Sequence, residues 1–323
     1  MSSRKILLLT DGKAGHENQS KALARALGRP FDRVEVRFKS ARHKALSYLF
    51  DHLGLLTPRL FATDAPVSGA YAAVVGTGSG TFYAAKTLAR RLGTKCGVVL
   101  YPRGYRIATF DCVLAPAFDR PRAAPNVVEI PANLVANDAA FYAAGTAAFR
   151  ARHPFPPPGR PDAAAVAVVV GGPNACSAMT ADWMRAALAR VFAEQGHPAF
   201  CAAPAGAPAP EFWVTTSRRT PPEVEAVVKT FPFDYRLLYS EDLFNPIPAF
   251  VSLARTLYVT AESTGMLSEA CTFGAAEVRV LDDLKPGPHK FRRFAEACAA
   301  LGARKIDLAA PLAAARALLG LDG

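Results

Sequence analysis

The chain has 323 residues, 51% of them hydrophobic and 20% charged, with 23 Gly, 26 Pro and a net charge of +11. This balance excludes a disordered tail, a collagen-like fibre and a small disulfide scaffold, and the length predicts about two domains, because single cores stop growing at about 250–300 residues. The charge is lopsided: residues 1–151 hold 21 Lys/Arg against 10 Asp/Glu, whereas residues 152–323 hold 17 of each. A basic first half suits anionic lipid, nucleic acid or a phosphorylated substrate, or is simply a solvated face.

Taken in chain order, residues 6–10 read as a strand. Arg4 and Lys5 precede an apolar run too short for a signal peptide, and no apolar run approaches the roughly 18–20 residues that span a bilayer. A cytoplasmic protein is the expectation. A helix at 18–27 follows, then a strand at 34–38, a helix at 41–56, a strand at 72–75 and a helix at 81–92. Short strands are predicted at 97–100, 112–115 and 127–130. Such βαβα alternation specifies a parallel sheet with helices on both faces.

The run Arg152-His-Pro-Phe-Pro-Pro-Pro-Gly-Arg-Pro161 has five prolines in ten residues and forbids regular structure. It predicts a boundary: an N-terminal domain at 1–151, a linker at 152–162 and a C-terminal domain at 163–323. The last helices are free to pack back on the first domain. After the linker, strands are predicted at 165–170, 199–202, 212–216, 235–239, 257–260 and 278–281. Helices are predicted at 181–195, 221–230, 249–254 and 263–273, with more from His289 onward. The expected fold is α/β, two Rossmann-like domains facing a cleft. Ligands of such sheets bind at the carboxyl ends of the strands.

The six cysteines form no C-x-x-C pair and read as reduced core thiols. The six histidines lack ligand spacing, so no metal is expected.

Candidate chemistry therefore lies in the loops after strands. The first is Asp11-Gly-Lys-Ala-Gly-His-Glu-Asn18. Gly12 and Gly15 permit a tight turn and close approach to a ligand, with Lys13 between them. His16 at this mouth either transfers a proton near neutrality or merely caps and packs. The second is Gly76-Thr-Gly-Ser-Gly80, whose glycines Gly76, Gly78 and Gly80 suit a phosphate cradle without matching a P-loop. The strand after it ends at Tyr101-Pro102-Arg103, without the acidic residue a dinucleotide fold places on ribose. In the second half, Ser217, Arg218 and Arg219 sit at a strand end. Arginine binds phosphate bidentately, or these are solvated arginines. Thr220 and Glu223 read as a capping box with Pro221 at the first helical position. Finally, Glu262-Ser-Thr264 opens a helix that carries Ser268 and Glu269. Hydroxyls and free N–H groups there suit a diphosphate, and Glu269 suits the two hydroxyls of a ribose.

Several of these segments together resemble the elongated-mitochondria, or mitochondrial fission, family. They are Asp11-Gly-Lys-Ala-Gly-His-Glu-Asn-Gln-Ser20, Thr216-Ser-Arg-Arg-Thr220, Asn245-Pro246 and Val259-Thr-x-Glu-Ser with Met266-x-Ser-Glu-Ala270. The resemblance runs over most of the chain in the same order. Bacterial members are described as glycosyltransferases with a GT-B-like fold. The first loop also resembles the Gly-rich loop of the GT-B enzyme that glycosylates lipid I. The chain departs from the family pattern at Glu262, where a shorter acid is usual, and at Gly265, Tyr101 and Phe118.

What the resemblance implies is transfer of a sugar from a UDP- or GDP-linked donor to a lipid-linked or envelope-glycan acceptor, without metal or other cofactor. Ser217, Arg218, Arg219, Glu262, Ser263, Thr264, Ser268 and Glu269 would hold the nucleotide. Gly12, Lys13, Gly15, Gly76, Gly78, Gly80 and Arg103 would line the acceptor or phosphate loops. His16, or alternatively Glu17, would be the base. The rival readings are a non-catalytic adaptor of the same fold and an NAD-dependent nucleotide-sugar epimerase. Nucleic acid is not an expected partner. An anionic membrane surface is one, at the inner membrane, because the helix at 41–56 carries Leu46, Leu49, Phe50 and Leu53, widened by Tyr48, Leu55 and Leu56. Arg29, Arg33, Arg37, Lys39, Arg42, Lys44 and Arg59 flank it.

Overall fold

A computed structural model describes residues 4–201 and 209–322. The chain opens with β1 (Ile6–Thr10), α1 (Ala14–Ala26), β2 (Phe31–Phe38), α2 (Ala41–His52) and a short β3 (Phe61–Thr63). There follow β4 (Ala73–Thr77), α3 (Phe82–Leu92), β5 (Lys95–Val99), β6 (Cys112–Pro116) and β7 (Val127–Ile130). These strands form one sheet in the order β3-β2-β1-β4-β5-β6-β7. Every pairing is parallel except that of β3 with β2. β1 and β4, at the centre of the sheet, are buried along their whole length, as Ile-Leu-Leu-Leu and Val-Val runs covered on both faces must be. Because β1 pairs with β2 on one side and β4 on the other, the sheet reverses its direction of growth between β1 and β4. Parallel sheets of this kind receive ligands at such a switch point.

The next elements are α4 (Ala139–Arg152), β8 (Ala165–Val170), α5 (Ala181–Glu194), β9 (Glu211–Thr216), α6 (Pro222–Lys229) and β10 (Tyr235–Leu237). Then come α7 (Ile247–Leu253), β11 (Thr256–Thr260), α8 (Thr264–Thr272), β12 (Glu277–Leu281) and α9 (Lys290–Leu301). This second sheet is wholly parallel, in the order β10-β9-β8-β11-β12, with its own switch point between β8 and β11. The last helix, α10 (Ala309–Leu318), returns to the first unit, where Ala315 and Leu319 join the core that contains Ile6, Val75 and Leu114.

The compact units divide after Ala136, not at the proline-rich run 152–162, and residues from Asp307 onward belong to the first. The reason is α4. Its Phe149 is fully buried against Trp213, Tyr235 and Phe250, so the helix that precedes the prolines packs with the second sheet. A proline run marks irregular backbone and does not by itself mark where packing changes.

Other expectations shift in detail. α1 begins at Ala14, so His16 lies in its first turn and not in a loop. α2 stops at His52, with Leu53 as its C-cap. The strand predicted at 199–202 is absent over its described part, where residues 198–200 form a turn and Phe200 stacks on Phe231; Ala202 lies outside the described residues. β10 ends at Leu237, short of Tyr239. The Thr220–Glu223 capping box does not form. The N-cap is Pro221, and the Thr220 hydroxyl instead donates to the Gly171 carbonyl at 2.5 Å.

One buried ion pair fastens α2 to the first sheet's helix layer. Lys86 Nζ on α3 donates to Asp51 Oδ1 at 2.6 Å, donates to the Arg106 carbonyl, and lies 3.9 Å from the Phe110 ring centroid. Asp51 Oδ2 accepts from the Arg106 N–H at 2.6 Å. Both charges are buried, and breaking one partner of such a pair is typically worth about 3–5 kcal/mol.

Candidate functional site

In the first unit, the loops after β1 and β4 meet at the switch point. His16 Nδ1 lies 3.0 and 3.1 Å from the two carboxylate oxygens of Asp11. A carboxylate can only accept, so Nδ1–H is the donor in this contact. Lys13 adds its ammonium 3.5 Å from Asp11 Oδ2. The loop after β4 leaves space for this pair. A Cβ on Gly78 would stand 2.4 Å from the His16 ring, and one on Gly80 would stand 2.6 Å from Asp11 Cβ. Gly78 also has φ +80°, which side-chain-bearing residues rarely adopt. A hydrogen bond between the buried hydroxyls of Ser20 and Thr77, at 2.6 Å, ties α1 to the end of β4.

The other candidates of this unit fall in different places. Gly12 turns the chain with φ +79°, and Gly76 ends β4 against the Thr81 side chain. Gly15 sits in α1 with open space around it, so neither a turn nor close packing requires glycine there. Glu17 is paired with Lys21 at 2.6 Å and Arg33 at 3.1 Å, and Lys21 first, then Arg33, holds its carboxyl below the usual range. A carboxylate so stabilised is a poor base. The Arg103 guanidinium donates to the Asp119 carbonyl. Asp11 was not singled out by sequence. Its signal is an acid at the end of the first strand, five residues before the histidine.

In the second unit the switch point joins the loops after β8 and β11. Gly171 N–H donates to Thr260 Oγ1 at 2.9 Å, and a Cβ on Gly171 would stand 1.8 Å from Glu262 Oε1. Glu262 is 2% exposed, and neither carboxyl oxygen finds a hydrogen-bond partner among the described residues. Asp283, also buried, accepts from the Glu262 N–H at 3.2 Å and from Ser177 Oγ at 2.5 Å. Burial, and next the Asp283 charge, push the Glu262 carboxyl up to about 7. Burial also raises Asp283.

Around this core lie the nucleotide candidates. Ser263 precedes α8 without making a side-chain cap, so the first N–H groups of α8 are free of intrahelical partners. Thr264 is half-buried at that end. Ser268 is buried, and its hydroxyl donates to the Thr264 carbonyl at 2.6 Å. Ser217 Oγ accepts from the Arg219 N–H. Arg218 and Arg219 are exposed, and neither guanidinium has an ion pair or hydrogen bond among the described residues. Glu269 lies on α8. It turns toward α4, where its Oε1 accepts from Tyr142 Oη at 2.9 Å and Asn137 Nδ2 at 3.3 Å. Burial raises its carboxyl, against those two hydrogen bonds. Tyr142 and Asn137 lie more than a hundred residues upstream, and nothing local in sequence could reveal them. Asp283 was visible as an acid just past the last strand. Among the described residues no group of three His, Cys, Asp or Glu side chains could hold a metal.

Each of the two Rossmann-like units gathers glycines, hydroxyls and charge at the carboxyl ends of its strands, where parallel sheets of this kind bind ligands. Residues 14–308 match the mitochondrial fission ELM1 family, and the chain belongs to it. No curated protein is a significant sequence match. Among solved structures the chain is similar to the UDP-GlcNAc 2-epimerase of Neisseria meningitidis bound to UDP-GlcNAc, with 10% identity and TM-score 0.45 over 97% of each chain. It is similar to CalG4, the calicheamicin glycosyltransferase, with 14% identity and TM-score 0.45 over 99% of this chain and 94% of that one. It is also similar to a family 9 glycosyl transferase of Veillonella parvula, with 8% identity and TM-score 0.43 over 99% and 98%.

Two outcomes test this geometry. Gly80→Ala drives a methyl into Asp11 and should cost about 1–3 kcal/mol in urea unfolding, whereas Gly15→Ala, in open space within a helix, should be neutral or stabilising by up to about 1 kcal/mol. Equal effects of the two would remove the crowding argument. The second concerns Glu262. A carboxyl whose folded pKa lies above its unfolded value of 4.5 is favoured by folding when protonated. Its contribution is complete below pH 4.5 and fades as pH rises through about 7. Glu262→Gln should therefore melt hotter than wild type at about pH 8 and match it near pH 4.5. A constant difference across that window would contradict the assignment.

Proposed function

We propose that the protein transfers a sugar from a UDP- or GDP-linked donor to a hydroxyl of a lipid-linked or envelope-glycan acceptor. What carries this proposal is the Asp11–His16 pair, an oriented imidazole at a strand-end switch point with neighbouring backbone stripped to glycine. Asp11 fixes the ring and its tautomer. His16 Nε2 takes the proton of the acceptor hydroxyl as that oxygen attacks the anomeric carbon. The bond from that carbon to the donor phosphate breaks, and the nucleoside diphosphate leaves with the electron pair.

The nucleoside diphosphate is assigned to the second unit. The N-terminus of α8 offers free N–H groups and its dipole, and the unpaired guanidinium groups of Arg218 and Arg219 add bidentate donors. Glu269, oriented by Tyr142 and Asn137 through one oxygen, offers the other to the ribose hydroxyls. The helix end and arginines supply the neutralising charge, so the proposal does not call on a metal. Glu17, held as a paired carboxylate, is a structural anchor of α1 in this scheme.

The test uses UDP-GlcNAc, UDP and GDP as probes in calorimetry, with turnover followed as release of nucleoside diphosphate. Glu269→Ala should weaken nucleotide binding by about tenfold or more, since a hydrogen bond to a charged group is worth roughly 1.5–3 kcal/mol. His16→Asn should cut turnover by about 10²–10⁴ with donor affinity intact. Activity undiminished in His16→Asn, or abolished by EDTA, would overturn the mechanism. Binding of no nucleotide by the wild-type chain would favour the adaptor reading.

A further inference from the structure

α2 has two faces of opposite character. Its inner face holds Ser47, Tyr48 and Asp51. Tyr48 packs on Tyr105 with ring centroids 4.4 Å apart, Ser47 Oγ meets Tyr105 Oη at 2.9 Å, and Asp51 binds Lys86. The helix is thus firmly seated. Its outer face carries Leu46, 40% exposed, and Leu49, 54% exposed, and continues past the C-cap through Leu53, 62% exposed, to Leu55, 51% exposed. Four of the seven exposed large apolar side chains of the described residues therefore lie within ten consecutive positions. Tyr48, Phe50 and Leu56, which belonged to the same predicted stripe, turn inward onto the core.

The charge around this stripe has one sign. Between Lys39 and Arg59 the sole acidic residue is Asp51, and it is buried in its pair with Lys86. Lys39, Arg42 and Arg59 are exposed. The loop 101–106 packs beside the helix, with His52 Nε2 at 3.1 Å from the Gly104 carbonyl and Arg106 NH1 beside Gly54, and brings the exposed Arg103 and Arg106. No Asp or Glu occurs from Ala65 through Phe110. Arg33 and Arg37, by contrast, are spent on Glu17, Glu35 and Asp64 and do not contribute. By compact unit the asymmetry persists: the first holds 21 Lys/Arg against 11 Asp/Glu, the second 17 against 16.

We propose that α2 and the turn after it form a docking surface for an anionic lipid bilayer. Leu46, Leu49, Leu53 and Leu55 enter the acyl boundary, and Lys39, Arg42, Arg59 and Arg106 lie over the headgroups. Charge complementarity selects this occupant. A symmetric second copy would bring the cationic rim onto itself, and a nucleic acid backbone would leave the leucines unburied. An apolar stripe edged by cations, with no exposed carboxylate, matches an interface that is apolar inside and negative outside. This surface stands apart from the sugar-transfer proposal, since it uses none of the residues assigned to donor or base.

The experiment is vesicle flotation of the full chain, with no sugar nucleotide present. Phosphatidylglycerol–phosphatidylcholine vesicles should carry roughly tenfold or more protein than pure phosphatidylcholine at low salt, and high salt should release it, because exposed charges are screened within about 3 Å at 1 M. The triple variant Leu46→Ser, Leu49→Ser, Leu53→Ser should lose flotation while keeping its circular-dichroism melt, because these side chains are already exposed. Lys39→Glu with Arg42→Glu should lose it as well. The proposal is overturned if wild type ignores anionic vesicles at low salt, floats equally on neutral ones, or floats unchanged as the leucine variant. It is also overturned if light scattering shows a wild-type dimer that the leucine variant splits while neither form floats; the stripe is then a self-association face.

Discussion

At both switch points a carboxyl side chain occupies the space where a neighbouring residue would carry its Cβ. Asp11 fills that space at Gly80 and Glu262 fills it at Gly171, with the His16 ring doing the same at Gly78. Interiors packed to crystal density leave no slack for such contacts, so glycine at one loop and the acid at the other are a single steric decision. Position 171 is the tighter case. A Cβ there would stand 1.8 Å from the carboxyl oxygen, so that carboxyl would have to move, and it is itself buried. The rest of each site follows from these contacts, because they fix where the loop backbone runs and which groups face outward.

The same steric device places the two carboxyls in different surroundings. Asp11 has a ring N–H and a lysine ammonium beside it. Glu262 has no such partner and a second carboxyl nearby, so burial and like charge favour the neutral acid. A charged acid beside an imidazole orients it and steadies the imidazolium that a proton transfer creates. A neutral acid at the carboxyl ends of β8 and β11 leaves the neighbouring helix N-terminus free of a competing negative charge. The two acids stand on opposite sides of their switch points, Asp11 after β1 and Glu262 after β11, in different surroundings.

Much of the fold was legible because inner parallel strands are nearly continuous Val, Leu and Ile runs, and β1, β6, β8 and β9 begin and end within a residue of where composition breaks. The short β3 was not, because three residues on a sheet edge carry no period. The boundary was misplaced because the allegiance of α4 depends on Phe149 meeting Trp213 and Phe250, contacts no local window contains. In the sites, glycines and helix starts could be read, since each has a local conformational cause. Pair partners could not. His16 was visible and Asp11 was overlooked; Glu269 was visible and Tyr142 is invisible from sequence, 127 positions away. The bond from the Ser268 hydroxyl to the Thr264 carbonyl, one turn back, lies within the local window but was not read from it.

Charge count alone would also have misjudged the basic surface. Of the cations flanking the stripe in sequence, Arg33 and Arg37 neutralise acids of their own strand and its neighbours, and Lys44 donates to Ser79 Oγ at 3.0 Å. What survives is a smaller set gathered around one helix whose only acid is drawn inward by Lys86. That inward pair does two things at once. It seats α2 firmly enough to hold its leucines outward, and it removes from the surface the one negative charge that would repel an anionic interface. A solvated basic face needs neither, since lone lysines and arginines keep a protein soluble without a fixed apolar stripe between them. The coincidence of a rigid seat, outward leucines and a hidden carboxylate on twelve residues of helix is the structural ground for treating α2 as a surface with a partner.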